Sequence, residues 1–213
     1  MTDAAAAPRP WPLIRRRAAL LLPALAAARP AAAAEGDYAF RVLRRGDAIG
    51  THQVRFATRG IQRVATSELL IRPAVMGIVV YRYEHIYEEV TEAGRFVSVT
   101  SRLNRNGRIM EVRGHATADA VLLDGTAGPA RLPPDAAPLS WWEMRRLGGH
   151  RPLFGTTTGR AFTLRWQAGR AAAGGPEFTC MGDVEAQVAF DANGRWVGLS
   201  AREDGNEIVY APG

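Results

Sequence analysis

From Tyr38 onward, apolar and polar residues alternate with a period of two, and glycine-bearing turns interrupt the alternation at short intervals. That rhythm places successive side chains on opposite faces of an extended chain, so it reads as strands. Tyr38, Phe40 and Val42 alternate with Arg41 before Arg45-Gly46-Asp47 turns the chain. His52, Val54 and Phe56 alternate with Thr51, Gln53 and Arg55 before Thr58-Arg59-Gly60 turns it again. Further runs cover Ile61 to Arg72, Ile78 to Val90, Phe96 to Leu103, Ile109 to Ala116 and Ala120 to Leu123. Between the third and fourth of these, Asn106-Gly107 tolerates the positive φ that a tight hairpin requires. Strand after strand with no intervening helix means antiparallel pairing.

The rhythm breaks at Pro129, Pro133, Pro134 and Pro138, which predict a stiff connector without regular structure. Ser140-Trp141-Trp142-Glu143 then has the form of a capping box, and Met144 to Leu147 would continue a helix of about two turns until Gly148-Gly149. Strands resume at Phe162, Leu164 and Trp166 and at Phe178 to Met181. A three-strand meander closes the chain: Val184 to Phe190, Arg195 to Arg202 and Glu207 to Ala211, with turns at Asp191-Ala192-Asn193-Gly194 and Asp204-Gly205-Asn206. A single sheet of roughly ten strands or more must curl, close or split. The expected fold is therefore mainly all-β: a strongly curved antiparallel sheet, half-barrel or barrel-like, with one short helix packed against it.

Residues 1–34 read differently. Arg15-Arg16-Arg17 precede an apolar run of 11 residues, Ala18 to Ala28, followed by Ala31 to Ala34. A basic start, a short apolar core and a small-residue cleavage site predict a cleavable signal peptide, with a single β-rich domain over residues 35–213. A membrane span needs about 20 apolar residues, so no transmembrane anchor is expected in the mature chain. The consecutive arginines and the alanine-diluted apolar core leave the twin-arginine and general export routes both open. The expected destination is the periplasm, or the medium, after cleavage near Ala34.

Charge narrows the function. All 27 basic residues are arginine. Cleavage would remove Arg9, Arg15, Arg16, Arg17, Arg29 and Asp3, lowering the net charge from +6 to +2. The remaining arginines are scattered, which argues against a nucleic-acid partner. The one cysteine, Cys180, excludes an internal disulfide and suits a small packed hydrophobe. His52, His85 and His115 lie on three strands without metal-ligand spacing, so no metal or other cofactor is implied. Glu84, Glu88 and Glu89 could serve acid–base chemistry, yet alternation sends Glu84 and Glu88 to the solvent side. No Gly-x-Ser-x-Gly elbow or phosphate-cradling glycine loop is present. Catalytic residues are therefore assigned to none.

The run Ile78 to Val90 carries Val79, Tyr81, Tyr83, His85 and Tyr87 on one face, and Arg82, Glu84, Ile86 and Glu88 on the other. Tyrosines combine apolar area with a hydroxyl, which suits a groove for an amphipathic ligand and equally an aromatic ladder within a core. Trp141 and Trp142 project to different sides and are read either as core plugs or as ligand and partner contacts.

Val42 to Gly50, Tyr81-Arg-Tyr-Glu-His85, Pro138-Leu-Ser-Trp-Trp142, Thr158-Gly159 and Phe190 to Gly198 together resemble a family of exported bacterial proteins. It is catalogued as domain of unknown function 6134 and is similar to domain of unknown function 3108. The resemblance implies no chemistry. At the level of architecture, a curved exported sheet with a short helix also resembles the lipoprotein-carrier half-barrels of bacterial envelopes. The expected role is non-catalytic binding of a lipid or other hydrophobic small molecule on the concave face, through Tyr81, Tyr83, His85, Tyr87, Trp141 and Trp142. The alternative is an interaction or assembly module that docks another envelope protein and has a filled core. An enzyme ranks third.

Overall fold

Strand follows strand along the described residues, 36–203 and 205–213 of a computed structural model; the expected leader, residues 1–34, lies outside them. The strands are β1 Tyr38–Arg44, β2 Asp47–Arg59, β3 Gln62–Ile71, β4 Ala74–Val75, β5 Ile78–Val79, β6 Tyr83–Glu92, β7 Arg95–Arg105, β8 Arg108–Ala116 and β9 Val121–Gly125. After them come β10 Ala130–Leu132, β11 Ala137–Pro138, β12 Leu153–Phe154, β13 Leu164–Arg170, β14 Gly174–Gly182, β15 Glu185–Asp191, β16 Trp196–Glu203 and β17 Asn206–Pro212.

Thirteen of these form one antiparallel sheet in the order β10-β9-β8-β7-β6-β3-β2-β1-β17-β16-β15-β14-β13. Each neighbour is also a chain neighbour, apart from two places. The small β4–β5 hairpin is spliced out between β3 and β6, and β1 pairs with β17, setting Val42 opposite Tyr210. The first and last strands of the sequence thus meet in mid-sheet. Asn106 and Gly107 carry the tight β7–β8 turn with φ of 52° and 89°, the left-handed values expected of that pair. At Gly50 the backbone of β3 comes so close that a Cβ would meet the Leu70 carbonyl oxygen at 2.0 Å, so only glycine fits.

The sheet curls strongly. The Trp142 ring lies 5.8 Å from that of Tyr87 on β6, 6.3 Å from that of Phe56 on β2 and 6.5 Å from that of Trp196 on β16. Strands β6 and β16 stand five places apart, about 24 Å in a flat sheet. A single indole reaches both because the inner face wraps around it. The edge strands β10 and β13 do not pair with each other, so hydrogen bonding does not close the sheet into a barrel.

The chain crosses from one edge to the other through residues 133–163, and this crossover lies over the inner face. Its Ala137, Trp142, Leu147, Leu153 and Phe154 join Phe40, Val54, Val99, Val188 and Trp196 of the sheet in one buried cluster. Its last part fastens to both edges. The Ala127 amide of the β9–β10 turn donates to the Thr158 carbonyl, and the Asp183 amide donates to that of Thr163.

The structure departs from expectation in three places. The two-turn helix after Ser140 is absent: the described residues hold a single 3₁₀ turn, Met144–Arg146, with no side-chain cap. The Pro-rich connector is not free of regular structure, since it supplies β10 and β11, the latter paired in parallel with β12. The run Ile78 to Val90 is not one strand. It breaks at residues 80–82, because the β4–β5 hairpin turns Val79 outward before β6 begins.

Candidate functional site

Between the inner face and the crossover lies a cavity of about 780 Å³. It opens at the end of the sheet where β3 stops, β6 starts and β7 turns into β8. Its floor comes from alternate residues of β2, β3 and β6, since period two delivers every second side chain inward: His52, Ser67, Leu69, Tyr83, His85 and Tyr87. The crossover contributes Leu139, Trp141 and Thr156, and β17 adds Ile208 and Tyr210. Arg105, Arg108, Arg160 and Arg202 stand around the mouth together with Asp183, which pairs with Arg160, and Glu185, which pairs with Arg202.

The floor is polar at its deepest points. His52 Nε2 lies 2.8 Å from Ser67 Oγ, and His85 Nε2 lies 2.9 Å from Ser101 Oγ. Both imidazoles are buried. Desolvation, together with the charge of His85, lowers the pKa of His52 to about 3. Desolvation lowers His85 to about 4, against a backbone hydrogen bond with Thr156 that raises it. Both rings are neutral at pH 7, and each can donate and accept. His52 Nδ1 has no hydrogen-bond partner among the described residues.

Behind the floor a polar chain runs into the core. The Tyr87 hydroxyl lies 3.5 Å from Ser140 Oγ, and Ser140 Oγ donates to Glu89 Oε2 at 2.6 Å. Glu89 Oε1 in turn lies 2.5 Å from Arg146 Nη1. Burial raises the pKa of Glu89, and Arg146 and Ser140 draw it partly back down. Burial also raises that of Tyr87, with Glu89 adding to the effect. The tyrosine therefore stays a neutral hydroxyl. Ser67 and His52 are within hydrogen-bond reach, but they do not make an oriented nucleophile and base. Ser67 is 1% exposed, and among the described residues no group holds the second nitrogen of His52.

Of the six residues expected at the site, Tyr83, His85, Tyr87 and Trp141 line the cavity. Trp142 does not: it is 6% exposed and fills the core against Tyr87 and Trp196. Tyr81 lies in the irregular stretch before β6 and packs against the edge of the core rather than lining the cavity. His115 faces outward from β8. Among the described residues no three His, Cys, Asp or Glu side chains converge on one point. Cys180 is buried on β14, and its thiol pKa is pushed up to about 11 by burial.

Sequence reasoning passed over Ser67, Glu89, Ser140 and Arg146 as one unit. One signal was available: Glu89 continues the odd-numbered series Tyr83, His85, Tyr87, which places a carboxylate on the inner face, where it needs a partner. The Arg146 guanidinium arrives from 57 residues away along the chain, and no local pattern reveals it.

The family described as "Domain of unknown function (DUF6134)" matches residues 40–213. No curated protein matches the chain. The chain is similar in fold to the crystal structure of a "beta-barrel-like protein of domain of unknown function DUF1849" from Brucella abortus, with a TM-score of 0.58 and 9% identity. The match covers 83% of this chain and 94% of that one. At that identity the likeness concerns the fold alone.

Proposed function

The chain belongs to the family of domain of unknown function 6134, and we propose that it is an exported envelope protein that binds an amphipathic molecule in the cavity under the crossover without transforming it. The cavity itself carries this reading. Its volume of about 780 Å³ falls within the range of small-molecule sites, roughly 300–1,000 Å³. Leu69, Ile71, Trp141, Phe162 and Ile208 offer an apolar wall. Neutral imidazole and hydroxyl groups lie on the floor, and guanidinium groups, two of them paired with Asp183 and Glu185, lie at the mouth. That order of surfaces suits a chain-like molecule with a polar head toward solvent. Export is supported by the basic start, the 11-residue apolar core and the alanine-rich site before Glu35.

Native mass spectrometry of the processed protein from an envelope fraction, followed by solvent extraction, tests the proposal. The expected result is a reproducible added mass released by solvent and identified as an amphipathic small molecule. A clean apo mass that stays clean after incubation with membrane extract would sink it.

A further inference from the structure

The connector from β3 to β6 folds back on itself, pairing Ala74 with Val79 and Val75 with Ile78 across a tip at Met76 and Gly77. From Ala74 to Val80 it contains no charged or hydrogen-bonding side chain. Such a run would ordinarily pack against the core. Here Met76 is 97% exposed and Ile78 69%, and Val79 and Val80 are exposed beside them. Single exposed apolar residues are commonplace, but a contiguous group marks a contact surface. The projection is held at its base, where the Val80 amide donates to the Pro73 carbonyl at 3.0 Å.

The surroundings of that base are cationic. Arg72 and Arg82 flank the hairpin and share one carboxylate, Glu84. The neighbouring β7–β8 turn adds Arg105 and Arg108, and it is tied to the connector by two hydrogen bonds between Arg82 and Asn106. Among the described residues Glu84 is the carboxylate that pairs with this base, shared by Arg72 and Arg82, and Arg105 and Arg108 stand at the cavity mouth beside it. An apolar tip inside a cationic collar complements a surface that is anionic outside and apolar a few ångströms beneath. An anionic bilayer is such a surface. The four steps along the chain from Pro73 to Gly77 reach about 13 Å when extended, enough for the 5–10 Å depth of interfacial insertion.

We propose that the β4–β5 hairpin inserts into the interfacial layer of an anionic phospholipid bilayer and seats the cavity mouth against it. The proposal rests on the cavity reading only for its purpose, passage of an amphipathic molecule between bilayer and cavity.

The test places an environment-sensitive thiol-reactive fluorophore at position 76 of the full chain through Met76→Cys. A second protein carries it through Ile61→Cys, at an exposed apolar residue on the opposite end of β3. Cys180 is buried and its thiol is held protonated, so the label goes to the introduced site. With vesicles of phosphatidylglycerol and phosphatidylcholine, the label at position 76 should shift to the blue and be quenched by lipid-borne nitroxides, while that at 61 does neither. Adding Arg108→Glu should weaken the vesicle titration about tenfold or more, and pure phosphatidylcholine should weaken it likewise. Equal responses at both positions, or none at 76, would overturn the proposal. So would a vesicle-independent shift that grows with protein concentration, which is self-association. Cavity loading is read separately by mass on the same protein, so failure of one idea is visible without failure of the other.

Discussion

Arg146 Nη1 lies 2.5 Å from Glu89 Oε1, with the two side chains 2% and 1% exposed. The arginine comes from the 3₁₀ turn of the crossover and the glutamate from β6, so this pair pins the crossover to the inner face of the sheet. Ser140, also on the crossover, binds the other carboxylate oxygen. The crossover bridges the two unpaired edges of the sheet, and its anchorage governs the cavity above.

Removing one partner of such a pair strands the other charge in a low-dielectric interior. Arg146→Met or Glu89→Gln should each destabilise the protein by about 3–5 kcal/mol. The double change Glu89→Met with Arg146→Met should cost less than either single change, because no unpaired charge is left. Urea unfolding at pH 7 of the three variants measures this. Additive losses would mean that the two residues do not act as a pair.

His52 and His85 set the acid side of the stability profile. Each has a folded pKa below the ordinary 6.5, at about 3 and about 4. The unfolded chain therefore binds more protons in this range, and stability falls as pH drops below 6.5. At pH 5 each histidine should have cost about 2 kcal/mol relative to pH 7. Glu89 acts in the opposite sense: its raised pKa lets the folded state take a proton first, which offsets part of the loss. Denaturant midpoints from pH 7 to pH 5 should fall in the wild type and fall markedly less in the His52→Gln, His85→Gln double variant. Parallel slopes would mean that the imidazoles are not the groups responsible.

Adjacent tryptophans divide the labour between core and cavity. Trp142 touches Phe56, Tyr87 and Trp196 from the crossover, whereas Trp141 is half-buried and lines the cavity. Trp142→Ala should cost about 3–5 kcal/mol of stability through a large void. Trp141→Ala should cost far less and should reduce uptake of membrane-extract molecules, read by native mass spectrometry. Similar unfolding losses in both variants, with uptake unchanged, would place Trp141 in the core as well.

Much of the sheet was legible because period two and glycine turns are local. The Asn106-Gly107 hairpin and the closing strands β15 to β17 fall where alternation and turn residues put them. Ser140 shows where local reading ends. Ser140 and Glu143 have the spacing of a capping box, yet the Ser140 hydroxyl goes to Glu89, and Glu143 goes to Arg63 at 2.7 Å. Partners 51 and 80 residues away outbid the helix. The same applies to the site. Alternation correctly turned Tyr83, His85 and Tyr87 inward, but it treated Tyr81 as part of the same strand. The β4–β5 hairpin, whose apolar residues imitate a strand, broke the register before it. The crossover contacts that separate Trp141 from Trp142 exist only once the sheet has curled.

Gly125 tests how tightly the crossover closes the cavity wall. A Cβ added at this last residue of β9 would lie 2.6 Å from the Thr158 carbonyl oxygen, which is backbone and cannot rotate aside. That same oxygen accepts the Ala127 amide at 3.0 Å, and Thr156 to Thr158 form part of the cavity lining. Gly125→Ala must therefore push the loop away from the sheet edge and lengthen this hydrogen bond. The expected cost is about 1–3 kcal/mol, with faster amide exchange at Ala127. Gly60→Ala is a control of a different kind, since its Cβ would meet nothing within 4 Å and the strain lies in its φ of +64° alone. It should leave exchange at Ala127 untouched. Unchanged exchange at Ala127 in Gly125→Ala would mean that the loop already stands clear of the sheet, and that this wall of the cavity is open.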